Sequence, residues 1–415
     1  MKKYEEIKEI LKKNNQEQLL VCYDKLDTEG KEKLLNQISD IDFKQINTLY
    51  ENTKNNKNTN SKDDLIEPID YVDESKLTEE EYNNYKNVGE NIIKTKKLAV
   101  LTVAGGQGTR LGFKGPKGKY DIGLDTHESL FELICKPLKK ANKKYGVIIP
   151  WYIMTSNENN EETVSFFKEN NYFGYPEKEV KFFIQGEIPM ISEDGKILVN
   201  EEGFVKLAAD GHGGVFKSMV RSGVLKDLNA RNVDWLVIGP VDNPLINMAD
   251  PIFLGVTASK NCMAAGKSVV KANPEERVGV FCKRNKKPSV IEYTEISQEM
   301  CNLRDKNGEL VFGESNVNCN LFNMKRINEV AENELPYHAA HKKADYIDEN
   351  GKLVVAEKPN AYKYETFIFD AFESMESMAI LRVKREEEFA PVKNAEGVDS
   401  PATSRELYKK FYNIK

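Results

Sequence analysis

A glycine-rich loop with two basic residues is the part of this sequence best suited to chemistry. Gly105, Gly106 and Gly108 follow an apolar run, and Arg110 and Lys117 come shortly after them. Glycine can adopt positive φ and lets backbone N–H groups approach phosphate oxygens without a Cβ in the way. Arginine supplies a planar fork for phosphate, and lysine supplies a mobile point charge. The loop therefore predicts a phosphate site for a nucleoside triphosphate.

The spacing separates this loop from two common nucleotide-binding motifs. The residues after Gly106-x-Gly108 do not continue as G-x-G-x-x-G, and no G-x-x-x-x-G-K-[ST] can be read through the loop. A glycine-rich turn by itself is equally consistent with an ordinary connection. The addition of Arg110 and of Pro-Lys-Gly at residues 116–118 favours phosphate binding.

Two further patterns place polar side chains where predicted strands end. Asp242 follows the run 235–240, and a carboxylate opposite a phosphate loop can hold Mg²⁺ or Mn²⁺ through one or two oxygens. The amide of Gln185, beside a glycine turn, offers the donor and acceptor that read a pyrimidine edge. The alternatives are an N-cap for Asp242 and an ordinary strand-to-helix turn for Asp-Gly-His-Gly-Gly at residues 210–214.

An alternation of strand-like and helix-like runs must position these residues. Residues 98–104 form a short apolar run, as expected for a central strand buried on both faces. The other predicted strands are residues 147–156, 180–185, 235–240, 278–282, 289–293 and 379–384, with helices at residues 161–170 and 214–228 among those between them. This alternation predicts an α/β fold with a mixed, mostly parallel, Rossmann-like sheet. Ligands then bind at the carboxyl ends of its strands.

The composition bounds the class of protein. The 415 residues are too many for one ordinary core, and the net charge of −6 argues against a general nucleic-acid binder. No apolar run reaches the span of a transmembrane helix, and the N-terminus lacks the apolar region of a signal peptide. Six scattered cysteines without C-x-x-C pairs suggest reduced thiols. We therefore expect a cytoplasmic protein that binds neither nucleic acid nor membrane.

The chain is predicted to divide into consecutive regions. Residues 1–95 read as a helical region, interrupted by a flexible polar loop at residues 52–64, and residues 78–81 match a capping box at a helix start. Residues 96–395 are expected to form the catalytic domain and residues 396–415 a short C-terminal tail.

Several ordered blocks carry a family resemblance. Besides Ala-Gly-Gly-Gln-Gly-Thr-Arg-Leu-Gly at residues 104–112, they lie at residues 150–156, 182–186, 210–214, 241–243, 290–295, 358–360 and 388–394. Together they resemble the signature of eukaryotic-type UDP-N-acetylhexosamine pyrophosphorylases, over roughly residues 75–405. The resemblance implies the nucleotide-diphospho-sugar transferase (GT-A-like) type of fold.

The resemblance also assigns roles to individual residues. It implies nucleotide contacts from Val103, Ala104, Gly105, Gly106, Gln185, Gly211, Asp242 and Lys363, with Mg²⁺ between Asp242 and phosphate. It implies sugar contacts from His212, Glu292, Tyr293 and Asn316, and phosphate contacts at the reaction centre from Arg110, Lys117 and Lys393. By type alone, Glu292 and Tyr293 could be half-buried sheet positions, and the two late lysines could be surface charges.

The sequence departs from the family pattern at two places. His212 stands where the family usually has an Asn that touches the sugar, and Val-Asn-Cys-Asn at residues 317–320 replaces the usual Ile-Ala-Asn-His. Both changes lie near the predicted sugar, so they bear on the acyl-group preference.

The expected activity is transfer of uridylyl from UTP to N-acetylglucosamine 1-phosphate, giving UDP-N-acetylglucosamine and pyrophosphate. A pyrophosphorylase for UDP-glucose, UDP-galactose or a broad range of UDP-sugars is the first alternative. A UDP-sugar glycosyltransferase is disfavoured, because no D-x-D motif ends the strand before Asp242. A non-catalytic UDP-sugar-binding module would be expected to lack Arg110, Lys117 or Asp242. Relatives continue past the block at residues 399–403 with a C-terminal domain linked to self-association, so we expect that domain to be absent and the protein to be a monomer.

Overall fold

The computed structural model describes residues 2–55 and 64–414, which form two compact units. Of the described residues, the first unit contains 2–55, 186–214 and 335–367, and the second contains 64–185, 215–334 and 368–414. The first unit thus combines the N-terminal helices with two later segments, whereas the prediction divided the chain into consecutive regions. No helix among the described residues is long and apolar enough to cross a membrane.

The elements are numbered in chain order. The helices are α1 Lys2–Lys13, α2 Thr28–Ser39, α3 Phe43–Lys54, α4 Glu79–Lys94, α5 Leu130–Tyr145, α6 Asn160–Glu169, α7 Val215–Arg221, α8 Val224–Ala230, α9 Pro251–Ser259, α10 Gln298–Asn302, α11 Met324–Glu332, α12 Arg385–Glu388 and α13 Pro401–Tyr412. The strands are β1 Ile66–Pro68, β2 Val72–Asp73, β3 Leu98–Val103, β4 Trp151–Thr155, β5 Val180–Ile184, β6 Glu187–Pro189, β7 Ile191–Ser192, β8 Leu207–Ala209, β9 Trp235–Pro240, β10 Ala264–Val270, β11 Val280–Arg284, β12 Lys287–Ile291, β13 Glu314–Asn323, β14 His338–Lys342, β15 Tyr346–Ile347, β16 Leu353–Val354, β17 Ala361–Glu365 and β18 Ala379–Arg382.

A large mixed sheet forms the centre of the second unit. Its main path runs β2-β18-β10-β13-β9-β3-β4-β5, and β11 extends it from β13 to β1 and β12. Along the main path β13 runs antiparallel to both of its neighbours, and the other pairs are parallel. The predicted mixed, mostly parallel α/β sheet is therefore confirmed.

The central strands are apolar on both faces because helices cover both sides of the sheet. Strands β3 and β9 are buried along their whole length except at their last residues, and β4 is buried throughout. The side chains of one face, including Val100, Trp151 and Val237, form one core with α5 and α9. The carboxyl ends of β3 and β9 lie side by side, with Val103 opposite Pro240. This edge carries most of the candidate site.

The first unit packs small sheets against its helices. Strands β14, β17 and β7 form an antiparallel sheet, and β15–β16 and β6–β8 are two-stranded ribbons. One hydrophobic cluster joins α1, α2 and α3 to residues of these strands, including Ile191 and Tyr364.

The structure corrects several predicted elements. The helix predicted over residues 214–228 is two helices, α7 and α8, because Gly223 between them has φ +78°. Helix α3 runs to Lys54, so it covers residues 52–54 of the predicted polar loop; residues 56–63 of that loop lie outside the described residues. The strand predicted over residues 289–293 ends at Ile291. The capping box is present, with Thr78 and Glu81 exchanging hydrogen bonds.

Candidate active site

The loop after β3 is folded back on itself. The N–H of Gly108 donates to the carbonyl of Gly115 at 3.0 Å, and the N–H of Lys117 donates to the carbonyl of Gly106 at 3.1 Å. The buried amide of Asn159 supports the loop from below by donating to the carbonyl of Ala104 at 3.0 Å. These bonds bring Lys117 back beside the glycines, which the sequence spacing by itself does not establish.

The first three glycines of this loop are needed for the close approach of other atoms more than for positive φ values. Gly108 has φ −80°, and the positive φ values of this loop lie instead at Gly112 and Gly115. Gly105, Gly106 and Gly108 therefore do not use the positive φ that glycine permits. A Cβ on Gly105 would lie 2.2 Å from Oε1 of Gln185, whereas a Cβ on Gly106 would have no atom within 4 Å. The backbone at Gly106 is thus open to a ligand.

Gln185, the predicted base-reading residue, lies directly beside this loop. It follows β5, is 8% exposed, and its backbone N–H donates to the carbonyl of Thr155 at 2.8 Å. Its side-chain amide packs against Gly105. Gly105 and Gln185 are both predicted to bind the nucleotide. They are 80 positions apart in the sequence and are neighbours in the structure.

Asp242 and Lys117 form an ion pair at the edge of the sheet. Lys117 Nζ is 2.9 Å from Asp242 Oδ2, and the two side chains are 13% and 22% exposed. The pairing follows from the sheet, because Asp242 lies two residues after the end of β9 and the loop that carries Lys117 follows the adjacent parallel strand β3. The structure thus has the carboxylate of Asp242 opposite the glycine loop, as the sequence predicts.

Lys393 is held close to Asp242 by the backbone. The N–H of Val392 donates to the carbonyl of Asp242 at 2.8 Å, and the N–H of Lys393 donates to the carbonyl of Asp399 at 2.7 Å. Lys393 Nζ lies 3.9 Å from Asp399 Oδ2. Burial raises the pKa of Asp399, and the positive charge of Lys393 opposes that rise. A cation and two carboxylates thus lie near one another here.

Arg110 is left without a partner of its own. It lies in the 3₁₀ turn Thr109–Leu111, is exposed, and its guanidinium makes no hydrogen bond or ion pair within residues 2–55 and 64–414. Nearby, Val103 is half-buried and Ala104 is buried at the start of the loop. An unpaired guanidinium beside an open glycine backbone suits a phosphate ligand.

The predicted sugar residues of the second unit converge on Gly279. The N–H of Asn316 donates to the carbonyl of Gly279 at 2.9 Å, and a Cβ on Gly279 would lie 2.8 Å from Glu292 Oε1. Tyr293 follows Glu292 in the turn after β12 and is 45% exposed. The amide oxygen of Asn316 accepts from the N–H of Asn318 at 2.8 Å.

Three predicted site residues, Gly211, His212 and Lys363, belong to the first unit. Gly211 has φ +85°, and a Cβ there would lie 2.3 Å from the carbonyl oxygen of Thr366, so only glycine fits. The ring of His212 lies 5.3 Å from that of Phe367. Lys363, on β17, is paired with Glu365 Oε1 at 2.8 Å.

Residues 41–401 match the family model described as UTP–glucose-1-phosphate uridylyltransferase. The chain belongs to this family.

Relatives within the uridylyltransferase family match most of the chain. The human UDP-N-acetylhexosamine pyrophosphorylase-like protein 1 is 38% identical over 80% of this chain and 68% of its own length. UDP-N-acetylglucosamine diphosphorylase 2 of Arabidopsis thaliana is 37% identical over 97% of this chain and 83% of its own. The crystal structure of the uridine diphosphate N-acetylglucosamine pyrophosphorylase of Trypanosoma brucei, in complex with inhibitor, superposes with a TM-score of 0.82 at 30% identity, covering 98% of this chain and 84% of that one.

Sequence reasoning missed the residues that support the site of this uridylyltransferase. Asn159 holds the glycine loop, and Asn243 joins Asp242 to the segment before Lys393 through its bonds to Glu388 and Ala390. An Asn directly after a predicted strand was the only available signal, and it is shared with ordinary turns.

Asp242 is the carboxylate of this site that would hold Mg²⁺. No group of three His, Cys, Asp or Glu side chains suited to a metal occurs in the described part of the chain. Mg²⁺ is commonly held by one or two carboxylates together with substrate phosphates and water. The partly exposed carboxylate of Asp242, which in the described part of the chain is paired with the Lys117 ammonium, fits such a site.

Proposed function

We propose that this chain transfers uridylyl from UTP to N-acetylglucosamine 1-phosphate and releases pyrophosphate, forming UDP-N-acetylglucosamine. The observation that carries the proposal is the meeting of the glycine loop, Gln185, Asp242 and Lys393 at one edge of the sheet. The names of the relatives, which include UDP-N-acetylglucosamine diphosphorylase, support the same activity. The chemistry required of this edge is charge neutralisation, which these side chains can supply.

The reaction needs no side chain as nucleophile or base. An oxygen of the sugar phosphate attacks the α-phosphorus of UTP, a new P–O bond forms, and the bond to the β-phosphate breaks to release pyrophosphate. The attacking phosphate is already anionic, so no proton has to be removed. Catalysis rests on alignment and on stabilising the charge spread over the phosphates.

The basic residues divide this electrostatic task. Arg110 and Lys117 are suited to the leaving pyrophosphate, because both lie on the loop that presents the open Gly106 backbone. Lys393 offsets charge on the remaining phosphates. Asp242 would hold Mg²⁺, which when bound polarises the α-phosphate.

The ion pair between Lys117 and Asp242 has a role before substrate binds. Two opposite charges 2.9 Å apart neutralise each other in the free protein. With Mg²⁺ and nucleotide bound, Asp242 would hold the metal and Lys117 would pair with phosphate, an exchange of partners that would leave neither side chain as an unpaired charge. The exchange favours binding of metal and nucleotide together.

The sugar pocket is where the alternative activity remains open. Asn318 contacts Asn316 directly, so this departure from the family pattern reaches a predicted sugar residue. Cys319, the other departure, is fully buried in the core, where burial raises its pKa to about 12. His212 lies beside Phe367 in the first unit. Among the departures from the family pattern, His212 and Asn318 are the first positions at which to test for a preference for glucose or galactose 1-phosphate.

The deciding experiment compares three acceptors with UTP and Mg²⁺. Steady-state kcat/KM is measured for N-acetylglucosamine, N-acetylgalactosamine and glucose 1-phosphates by following pyrophosphate release. We expect the first to be preferred by at least tenfold over glucose 1-phosphate. Preference for glucose 1-phosphate would establish the UDP-glucose-type alternative, and no turnover with any of them would refute the proposed activity.

A further inference from the structure

A fully buried lysine lies behind the candidate site, and the proposed reaction does not use it. Lys267, on β10, has no exposed side-chain surface. Its Nζ lies 2.6 Å from Glu388 Oε1 and 2.8 Å from Asp250 Oδ2, and it donates to the carbonyl of Asn247 at 3.0 Å. Burying an ammonium is costly unless it is paired and hydrogen-bonded. The cost of burying the Lys267 ammonium indicates that its charge has a role in this part of the protein.

Lys267 and the next residue of β10, Ser268, have different partners. The pairing of β10 with β13 shifts register between Gly266 and Ser268, which places Lys267 at the irregularity. Such irregularities re-aim side chains next to active sites. Ser268 bonds instead to Glu314 Oε2 at 2.7 Å, in a separate buried pair with Arg382.

The first contact of Lys267 is with the loop that carries Asp242. This loop follows β9, passes through Asp242 and ends at Asp250, whose carboxylate also caps α9 by accepting from the N–H of Ile252 at 2.8 Å. Lys267 binds the loop at the Asn247 carbonyl and at Asp250. The ammonium therefore fixes the far end of the loop whose near end is Asp242.

The second contact is with the segment that carries Lys393. Glu388 bonds to Lys267 through Oε1 and accepts from the N–H of Asn247 at 3.0 Å through Oε2. Asn243 donates to the carbonyl of Glu388 at 2.7 Å and accepts from the N–H of Ala390 at 3.0 Å. The segment is thus joined to the Asp242 loop along its length, up to the bond from Val392 to Asp242.

We propose that Lys267 is a positioning residue for the transfer reaction: with Glu388 and Asp250 it holds Lys393 in register with Asp242. The proposal rests on the proposed function, in which these two residues act at the phosphates. The two carboxylates outweigh the effect of burial and raise the pKa of Lys267, which keeps its ammonium charged. A 1 Å displacement of a group that stabilises a transition state can cost roughly 10²-fold in rate.

The test is a double-mutant cycle between Glu388→Gln and Lys393→Met. Glutamine has one acceptor oxygen where Glu388 uses two, so it keeps Lys267 or the Asn247 N–H but not both. We expect Glu388→Gln to lower kcat roughly 10- to 100-fold with little change in KM for UTP. In the Lys393→Met background the same change is expected to lower kcat less than threefold, because its effect runs through Lys393.

Asp227→Asn is the matched control. Asp227 also binds two cations, Arg231 at 3.0 Å and Lys181 at 2.8 Å, but it lies on α8, and within the described residues its partners do not include the Asp242 loop or the Lys393 segment. The Asp227→Asn substitution is expected to lower the melting temperature while kcat stays within twofold of the wild type. An equal loss of kcat in Asp227→Asn and Glu388→Gln would reduce the effect to general stability and overturn the proposal.

The remaining outcomes separate this proposal from the proposed function. Wild-type kcat in Glu388→Gln, or an effect fully additive with Lys393→Met, overturns the positioning role while uridylyl transfer stands. Wild-type kcat in Lys393→Met contradicts the role given to Lys393 in the reaction itself. If Glu388→Gln does not fold, Asp250→Asn, which keeps an oxygen to cap α9, enters the same cycle and must show the same non-additivity.

Discussion

Substitution of Gly105 by alanine tests how the phosphate loop and the base-reading amide depend on each other. The added Cβ would lie 2.2 Å from Gln185 Oε1 and 2.9 Å from its Cδ. Contacts of this kind are not tolerated below about 3.0 Å, so the amide must move by at least about 0.8 Å. Gln185 is buried and cannot move aside freely.

The size of the effect follows from what the amide is proposed to do. A displaced amide leaves polar groups of the uracil edge without partners, at about 1–3 kcal/mol for a buried group. That corresponds to a roughly 5- to 150-fold weaker binding of UTP. The undisturbed amide is expected to bind CTP poorly already, so CTP should lose much less affinity than UTP. The ratio of UTP affinity to CTP affinity should therefore fall by most of this factor.

Gly106→Ala is the matched control, because its Cβ would meet no atom within 4 Å. If Gly106→Ala weakens nucleotide binding through the phosphates, the loss of affinity should be equal for UTP and CTP. Dissociation constants for both nucleotides, measured by calorimetry on both variants and the wild type, check the prediction. Unchanged UTP affinity in Gly105→Ala, or an equal loss for UTP and CTP, would refute the reasoning.

Three further predictions concern charge. Arg110→Ala and Lys117→Ala should each lower kcat by roughly 10²-fold, as loss of one donor to a developing oxyanion does; near-normal turnover in both would remove the loop from the reaction. Activity should vanish in EDTA and return with Mg²⁺, and Asp242→Asn should raise the Mg²⁺ concentration needed for half-maximal rate; turnover that persists in chelator would contradict the metal role of Asp242. Burial, with Asp250 and Glu388 adding to it, raises the pKa of Glu74 from 4.5 to about 7. Because the unfolded chain ionises first, folding stability is lost as pH rises from about 4.5 to about 7. Glu74→Gln should therefore stabilise the protein above pH 7, by about 1 kcal/mol after screening, and not at pH 4; thermal melts giving the same shift at both pH values would disprove the assignment.

The sequence pattern was sufficient for the elements whose signal is local. The run Leu98–Val103 is apolar throughout because both faces of that strand are buried, and the glycines after it mark a loop in any fold. Trp235–Pro240 and Ala379–Arg382 were found for the same reason. Strands β10 and β13 were missed, because each carries polar residues such as Lys267 and Glu314, whose charges are satisfied only by distant partners.

The sequence by itself determined the kinds of residues at the site, and the tertiary structure decided which of them meet. Lys117 and Asp242 are 125 positions apart, and Lys267 and Glu388 are 121 apart. A lysine in a sequence is most simply a solvated charge, and only the packed sheet distinguishes Lys267, fully buried, from the many on the surface. The physical reason is that pairing energies depend on distance and burial, which strand order and register set and which no local window contains.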